Sequence, residues 1–202
     1  MRHPRRDESG RVRGVVIVLV LVAGVLGYTW WSQSKPVAME GLPDESTVAD
    51  ACAKHGYFPA AAAYDGPGPH PVEVAIKKQK ESGDAGPYNH LTMRTIGEQQ
   101  LPPALENPGS TVQLIACLER NGVGRQVETC FFDASKVPMY AATYDVTVYE
   151  ARTGKGVGSA MLVDAELPIC PSMMIVEGGG KARLFTEPSA RQVDKALKEF
   201  TS

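Results

Sequence analysis

Two patterns of hydrophobic residues divide the chain. From Gly14 to Ser34 no side chain carries a charge, and Val15-Val16-Ile17-Val18-Leu19-Val20-Leu21-Val22 is apolar without a break. Beyond it the apolar residues come in short stretches that alternate with polar ones, the period of a half-buried strand. The uncharged run covers 21 residues. As a helix it would be ~31 Å long at about 1.5 Å per residue, close to the hydrocarbon thickness of a bilayer. Arg2, Arg5, Arg6, Arg11 and Arg13 precede it, and Tyr28, Trp30 and Trp31 close it. Arginines favour the cytoplasmic side and amphipathic rings the interface. The pattern therefore predicts a cytoplasmic tail over 1–13, a transmembrane helix over 14–31, a linker over 32–43 and an extracytoplasmic domain over 44–202. A cleaved secretory signal would share the basic flank, but Tyr28-Thr29-Trp30-Trp31 follows where a small-x-small site would stand. Either reading exports the remainder of the chain.

Within the exported part, Asp44-Glu45-Ser46-Thr47 opens a short helix with Val48 and Cys52 on one face and Gly56 as its stop. Val72 to Ile76 alternates as a strand, Lys77 to Asn89 reads as a polar loop, and Leu91 to Ile96 as a further strand. Val112 to Glu119 and Gln126 to Asp133 read as two strands, with Asn121-Gly122-Val123-Gly124 as the hairpin turn between them. Met139 to Glu150 is a long strand with Tyr140, Ala142, Tyr144, Val146 and Val148 on one face. Arg152 to Lys155 turns it back into Val157, Ser159, Met161 and Val163. Met173–Val176 and Ala182–Phe185 flank Gly178-Gly179-Gly180 as a third hairpin. Pro188 and Ser189 start a last helix whose Val193, Leu197 and Phe200 share one side. The fold class is α+β: an N-terminal transmembrane helix, then a mostly antiparallel β ectodomain with a C-terminal helix.

Composition narrows the function. The 202 residues include 20 glycines and 15 prolines, which favour turns over a helical bundle. Residues 36–202 hold 15 basic and 21 acidic side chains, a net charge of −6. That excludes an electrostatic nucleic-acid binder, so no nucleic-acid partner is expected. Four cysteines, Cys52, Cys117, Cys130 and Cys170, all lie beyond the membrane run. An even count in an oxidising compartment predicts two structural disulfides, with three possible connectivities. A hairpin symmetric about residues 123 and 124 sets Cys117 opposite Cys130, and Cys52 is left for Cys170. Cys52-x-x-His55 has the local spacing of a zinc pair but lacks a second such pair, so no metal and no cofactor is expected.

Gly66-Pro67-Gly68-Pro69-His70-Pro71-Val72, Val112-Gln113-Leu114-Ile115-Ala116-Cys117, Tyr149-Glu150-Ala151-Arg152-Thr153-Gly154-Lys155 and Cys170-Pro171 together resemble a group of actinobacterial envelope proteins, exported or membrane-anchored. The resemblance spans about residues 45–200. It implies export and paired cysteines and brings no catalytic residue with it.

Candidate chemistry is sparse. His70, in a proline-rich loop with Tyr64 and Asp65, reads as a turn histidine rather than a ligand. The glycine runs lack the strand-to-helix setting of a phosphate loop. Asp164 and Glu166 read as a solvated strand end, not an acid–base pair. Ser159, Ser172 and Ser189 lack a nucleophile elbow. Met161, Met173 and Met174 read as core filler. The chain is expected to be a non-enzymatic binding or assembly module of the cell envelope, held in the membrane, its C-terminal domain outside, meeting an envelope protein partner. The alternative is an envelope hydrolase built from distant loops. Convergence of His70 or His90 with two carboxylates in one pocket separates the two.

Overall fold

The computed structural model describes residues 35–79, 85–91, 103–105, 111–132, 135–172 and 182–202. The chain divides into two units, Met1–Lys35 and Pro36–Ser202. The predicted transmembrane helix lies outside the described residues. Among those described, no helix is long and apolar enough to cross a membrane.

The second unit is α+β. Its main sheet has the order β4-β3-β5-β6-β7, formed by Val72–Gln79 (β3), Ala85–His90 (β4), Leu114–Phe132 (β5), Ser135–Glu150 (β6) and Gly156–Leu162 (β7). Leu184–Phe185 (β8) pairs with β6 beyond the end of β7. The β3/β4, β5/β6 and β6/β7 pairs are antiparallel, whereas β3/β5 and β6/β8 are parallel. The sheet is therefore mixed, with its longest pairing antiparallel. Val37–Ala38 (β1) pairs in parallel with Gly56–Tyr57 (β2). Strand β1 lies inside the stretch read as a linker over 32–43.

Each face of the sheet carries one helix. On the first face Val72, Val74, Ile76, Leu114, Ala116, Leu118, Tyr144, Val146 and Val148 pack against Val193, Leu197 and Phe200 of the helix Ala190–Thr201. Each of these helix residues, fully buried, contributes roughly 1.5–3 kcal/mol. Ser189 starts that helix with a capping box: its Oγ accepts from Gln192 N at 3.3 Å, and Gln192 Oε1 accepts from Ser189 N at 3.3 Å. Gly158 on β7 makes the close approach possible, since a Cβ there would lie 2.5 Å from Phe200 Cε1. On the second face Ala75, Ile115, Cys117 and Ala151 pack against Val48 and Ala51 of the helix Val48–Lys54. We label these helices α1 (Val48–Lys54) and α2 (Ala190–Thr201). Asp44 Oδ1 accepts from the N–H groups of Ser46 (2.8 Å) and Thr47 (2.9 Å) ahead of α1. His55, at φ +52°, closes α1 in the left-handed position expected of Gly56.

Several expectations are corrected. Strand β5 does not turn at Asn121–Gly124; it continues for 19 residues to Phe132. Its register with β6 runs from Leu114↔Glu150 to Phe132↔Ser135, shifting between Arg120 and Gly122, between Val123 and Gln126, and between Gln126 and Glu128. The glycines serve bulges, which admit extra residues without reversing the strand. Cys117 consequently faces Thr147, and Cys130 faces Val137. The disulfides are Cys52–Cys117 and Cys130–Cys170, not Cys117–Cys130 and Cys52–Cys170. The polar stretch from Lys77 holds the end of β3 and the whole of β4 rather than one loop. The strand expected over Leu91–Ile96 and the glycine hairpin around Gly178–Gly180 lie, apart from Leu91 and residues 182–185, outside the described residues. The β6 and α2 readings hold. So does the turn after β6, where Gly154 takes φ +70° and its N–H donates to Glu150 O at 2.9 Å.

Candidate binding cleft

Among the described residues the second face of the sheet is covered by α1 at one end and open at the other. Cross-strand pairing arranges its side chains in rows. One row runs Tyr88, Lys77, Glu119, Asp145, Met161, and the next runs His90, Ala75, Cys117, Thr147, Ser159. Between these rows and α1 lies a cleft of about 360 Å³. The Cys52–Cys117 disulfide lines it together with Tyr88, Tyr149, Asn121, Asp145 and Thr147. A single covalent bond thereby fixes the helix to the sheet where the cleft begins.

The polar groups of the cleft hold one another. Lys77 Nζ lies 2.6 Å from Glu119 Oε1 and 5.5 Å from the centre of the Tyr88 ring. Asn121 Nδ2 donates to Asp145 Oδ1 at 2.5 Å. Burial, helped by the Glu119 carboxylate, pushes the Tyr88 hydroxyl up to about 12, and burial raises that of Tyr149 as well. Both phenols stay protonated and can donate at neutral pH. Lys77 offsets Glu119, while Asp145 accepts from the neutral amide of Asn121. The cleft thus offers two aromatic walls, hydroxyl donors and the carboxylates of Glu119 and Asp145, a recognition surface rather than an activated nucleophile.

Behind the cleft the same face carries a buried acid. Glu73, 6% exposed, lies on β3 beside Ile115, and its Oε2 is 3.3 Å from His90 Nε2. Burial, with the charges of Glu45 and Asp44 adding to it, raises its carboxyl to about 7.

The chain matches no family model, no curated protein and no solved structure. The site therefore rests on its own geometry.

Of the residues singled out from sequence, Cys52 and Cys117 enter the cleft, and Cys130 and Cys170 staple the β5/β6 ribbon to the segment after β7. His70 is elsewhere. It is buried, its Nδ1 lies 2.6 Å from Gln113 Oε1, its backbone N–H donates to Thr201 O at 2.9 Å, and its ring centre lies 4.6 Å from that of Tyr64 in an edge-on arrangement. That loop fastens the carboxy-terminal end of α2, and exposed Asp65 takes no part in the pairing. Glu166 is no idle strand end: it accepts from Ser189 Oγ and pairs with Arg191 Nη2 at 3.2 Å, at the start of α2. Met161 is not core filler; it is 61% exposed on the open face. Met173 and Met174 lie outside the described residues. Neither His70 nor His90 lines the cleft beside Glu119 and Asp145. Among the described residues no group of three or more His, Cys, Asp or Glu side chains could hold a metal ion.

Sequence reasoning missed Tyr88, Glu119, Asn121, Asp145, Thr147 and Tyr149. For β6 the signal was available. Tyr144, Val146 and Val148 mark the core face, so Asp145, Thr147 and Tyr149 must face the other way.

Proposed function

We propose that this chain is a single-pass, membrane-anchored binding module of the cell envelope, its domain outside and its cleft over Cys52–Cys117 meeting an envelope protein partner. The observation that carries the reading is the closure of all four cysteines into two disulfides within one domain. Such pairs persist outside the reducing cytoplasm. The arginine flank and uncharged run at the amino terminus supply the anchor, and the resemblance to exported envelope proteins agrees with it. The cleft supports binding because its carboxylates and tyrosines are positioned by one another and by a covalent floor, which lowers the ordering cost of recognition.

Two measurements test it. Protease added to intact spheroplasts should digest the domain; complete protection defeats the topology. A photo-crosslinking residue at Thr147 in living cells should capture one discrete envelope protein, whereas the same residue at Lys198 on α2 should not. Equal capture at both positions, or none at Thr147, defeats the cleft.

A further inference from the structure

Among the described residues strand β4 stands at the end of the sheet and pairs with β3 alone, yet it supplies the Tyr88 wall of the cleft. Two residues along the same strand and on the same face stands His90. Nothing in the cleft chemistry requires Glu73 and His90, and a buried carboxylate with one partner is costly for a strand of six residues.

The charged surroundings of Glu73 are lopsided. The turn before α1 brings Asp44 and Glu45 toward it. Strand β4 brings His90, and β5 brings only neutral Ile115. The next charged side chains on this face, Lys77 and Glu119, pair with each other at 2.6 Å. Asp50 and Lys54 on α1 do the same at 2.7 Å. Among the described residues His90 Nε2, 3.3 Å away, is thus the nearest basic atom and is placed to accept from the protonated carboxyl. The mechanical setting is also lopsided. The Cys52–Cys117 disulfide pins the carboxy-terminal part of α1 to β5, while the Asp44–Glu45 end has no covalent tie to the sheet.

We propose that the Glu73–His90 pair is a proton-operated latch. With its proton it holds β4 and the start of α1 closed over the sheet, and without it the Asp44–Glu45 end and the Tyr88 wall swing away from the pinned disulfide. Protonated, Glu73 adds no charge beside Asp44 and Glu45. Deprotonated, it places a negative charge in a buried position with the exposed carboxylates of Asp44 and Glu45 nearby. The carboxyl is raised above its ordinary 4.5 toward about 7, so the closed form binds the proton more tightly than the open form. Closure is strongest below about pH 4.5 and is lost as pH rises toward 7. This inference rests on the cleft as the contact surface and adds its control by pH.

The test needs no ligand, so it can fail while the cleft reading survives. Hydrogen exchange of the full chain in detergent micelles is compared at pH 5.5 and 8, with each protection factor corrected for the intrinsic rate. Protection of residues 85–91 should fall at least about tenfold at pH 8, since one unit of pKa shift is a factor of ten in the coupled equilibrium. Residues 144–150 should not change. Glu73→Gln should abolish the fall. Glu45→Gln, at an exposed position, should lessen it, which keeps the test open if Glu73→Gln does not fold. Equal falls in both segments, no fall in the parent chain, or an undiminished fall in either variant overturns the latch. Crosslinking from Thr147 at the two pH values then reports separately whether the latch governs partner capture.

Discussion

Strand β5 passes through two different environments within one continuous element. From Leu114 to Leu118 every residue is buried, because α2 covers one face and α1 the other. Past Glu119 the flanking strand β3 has ended its pairing, and the residues from Asn121 to Thr129 are exposed or half-buried. The composition changes with the cover. The first part is Leu, Ile, Ala, Cys and Leu. The second carries Gly122, Gly124, Arg125, Gln126 and Glu128, three register shifts and a disulfide near its tip. A sheet with two helices on it is held by apolar burial, whereas a ribbon of two long strands, joined only by the two-residue β8, is marginal alone and here gains a covalent staple. Bulges and charges along the ribbon also make its edge a poor template for unwanted pairing.

The contrast can be broken at either end. The largest effect belongs to the staples. Cys117→Ser should cost about 4 kcal/mol in the loop-entropy model and lower the whole urea transition. Cys130→Ser removes a loop of similar scale and should instead expose the ribbon to proteolysis before the sheet unfolds. One common transition for both variants would erase the distinction between the regions. Non-reducing mass mapping should recover the peptides of Cys52 with Cys117 and of Cys130 with Cys170.

Next in size is Phe200→Ala, which empties the space over Gly158 and should cost about 3–4 kcal/mol in urea denaturation. Ser189→Ala removes one side of the capping box and should cost about 1 kcal/mol, read the same way. The smallest effect is Phe131→Ala. Phe131 is 71% exposed at the ribbon tip with Lys136 Nζ 5.4 Å from its ring centre. The change should stay within about 0.5 kcal/mol. A loss as large as that of Phe200→Ala would mean that the ribbon is as tightly packed as the sheet.

The two environments also explain what could be read from the sequence. Helix α2 was legible because its signals agree: Ser189 and Gln192 form a cap, and Val193, Leu197 and Phe200 repeat at helical spacing. Strand β6 was legible because Ala142 to Val148 alternates under full cover on one side. The ribbon was not, because Asn121-Gly122-Val123-Gly124 is equally good chemistry for a turn and for a bulge. The choice is made by long-range pairing to Thr143 and Ala142. The cysteine pairing failed with it, since Cys117–Cys130 depended on a hairpin at that place. The cleft was hidden for another reason. Its residues come from β4, β5, β6 and α1, and only the register sets Tyr88, Lys77, Glu119 and Asp145 in one row. Glu73 lies within an alternating stretch where an outward glutamate would be solvated. It is buried because α1 lies across its face.

The order of the disulfides along the chain bears on how the molecule is made. The first cysteine joins the second and the third joins the fourth. On the proposed route, in which the domain follows its anchor across the membrane with its amino-terminal end leading, Cys117 reaches Cys52 before Cys130 has emerged, and Cys130 then waits only for Cys170. An oxidant that joins cysteines as they arrive produces the native pairs directly, with no wrong bridge to be exchanged. On that proposed route the pairing can keep pace with translocation, the helix-to-sheet clasp closing before the ribbon is complete.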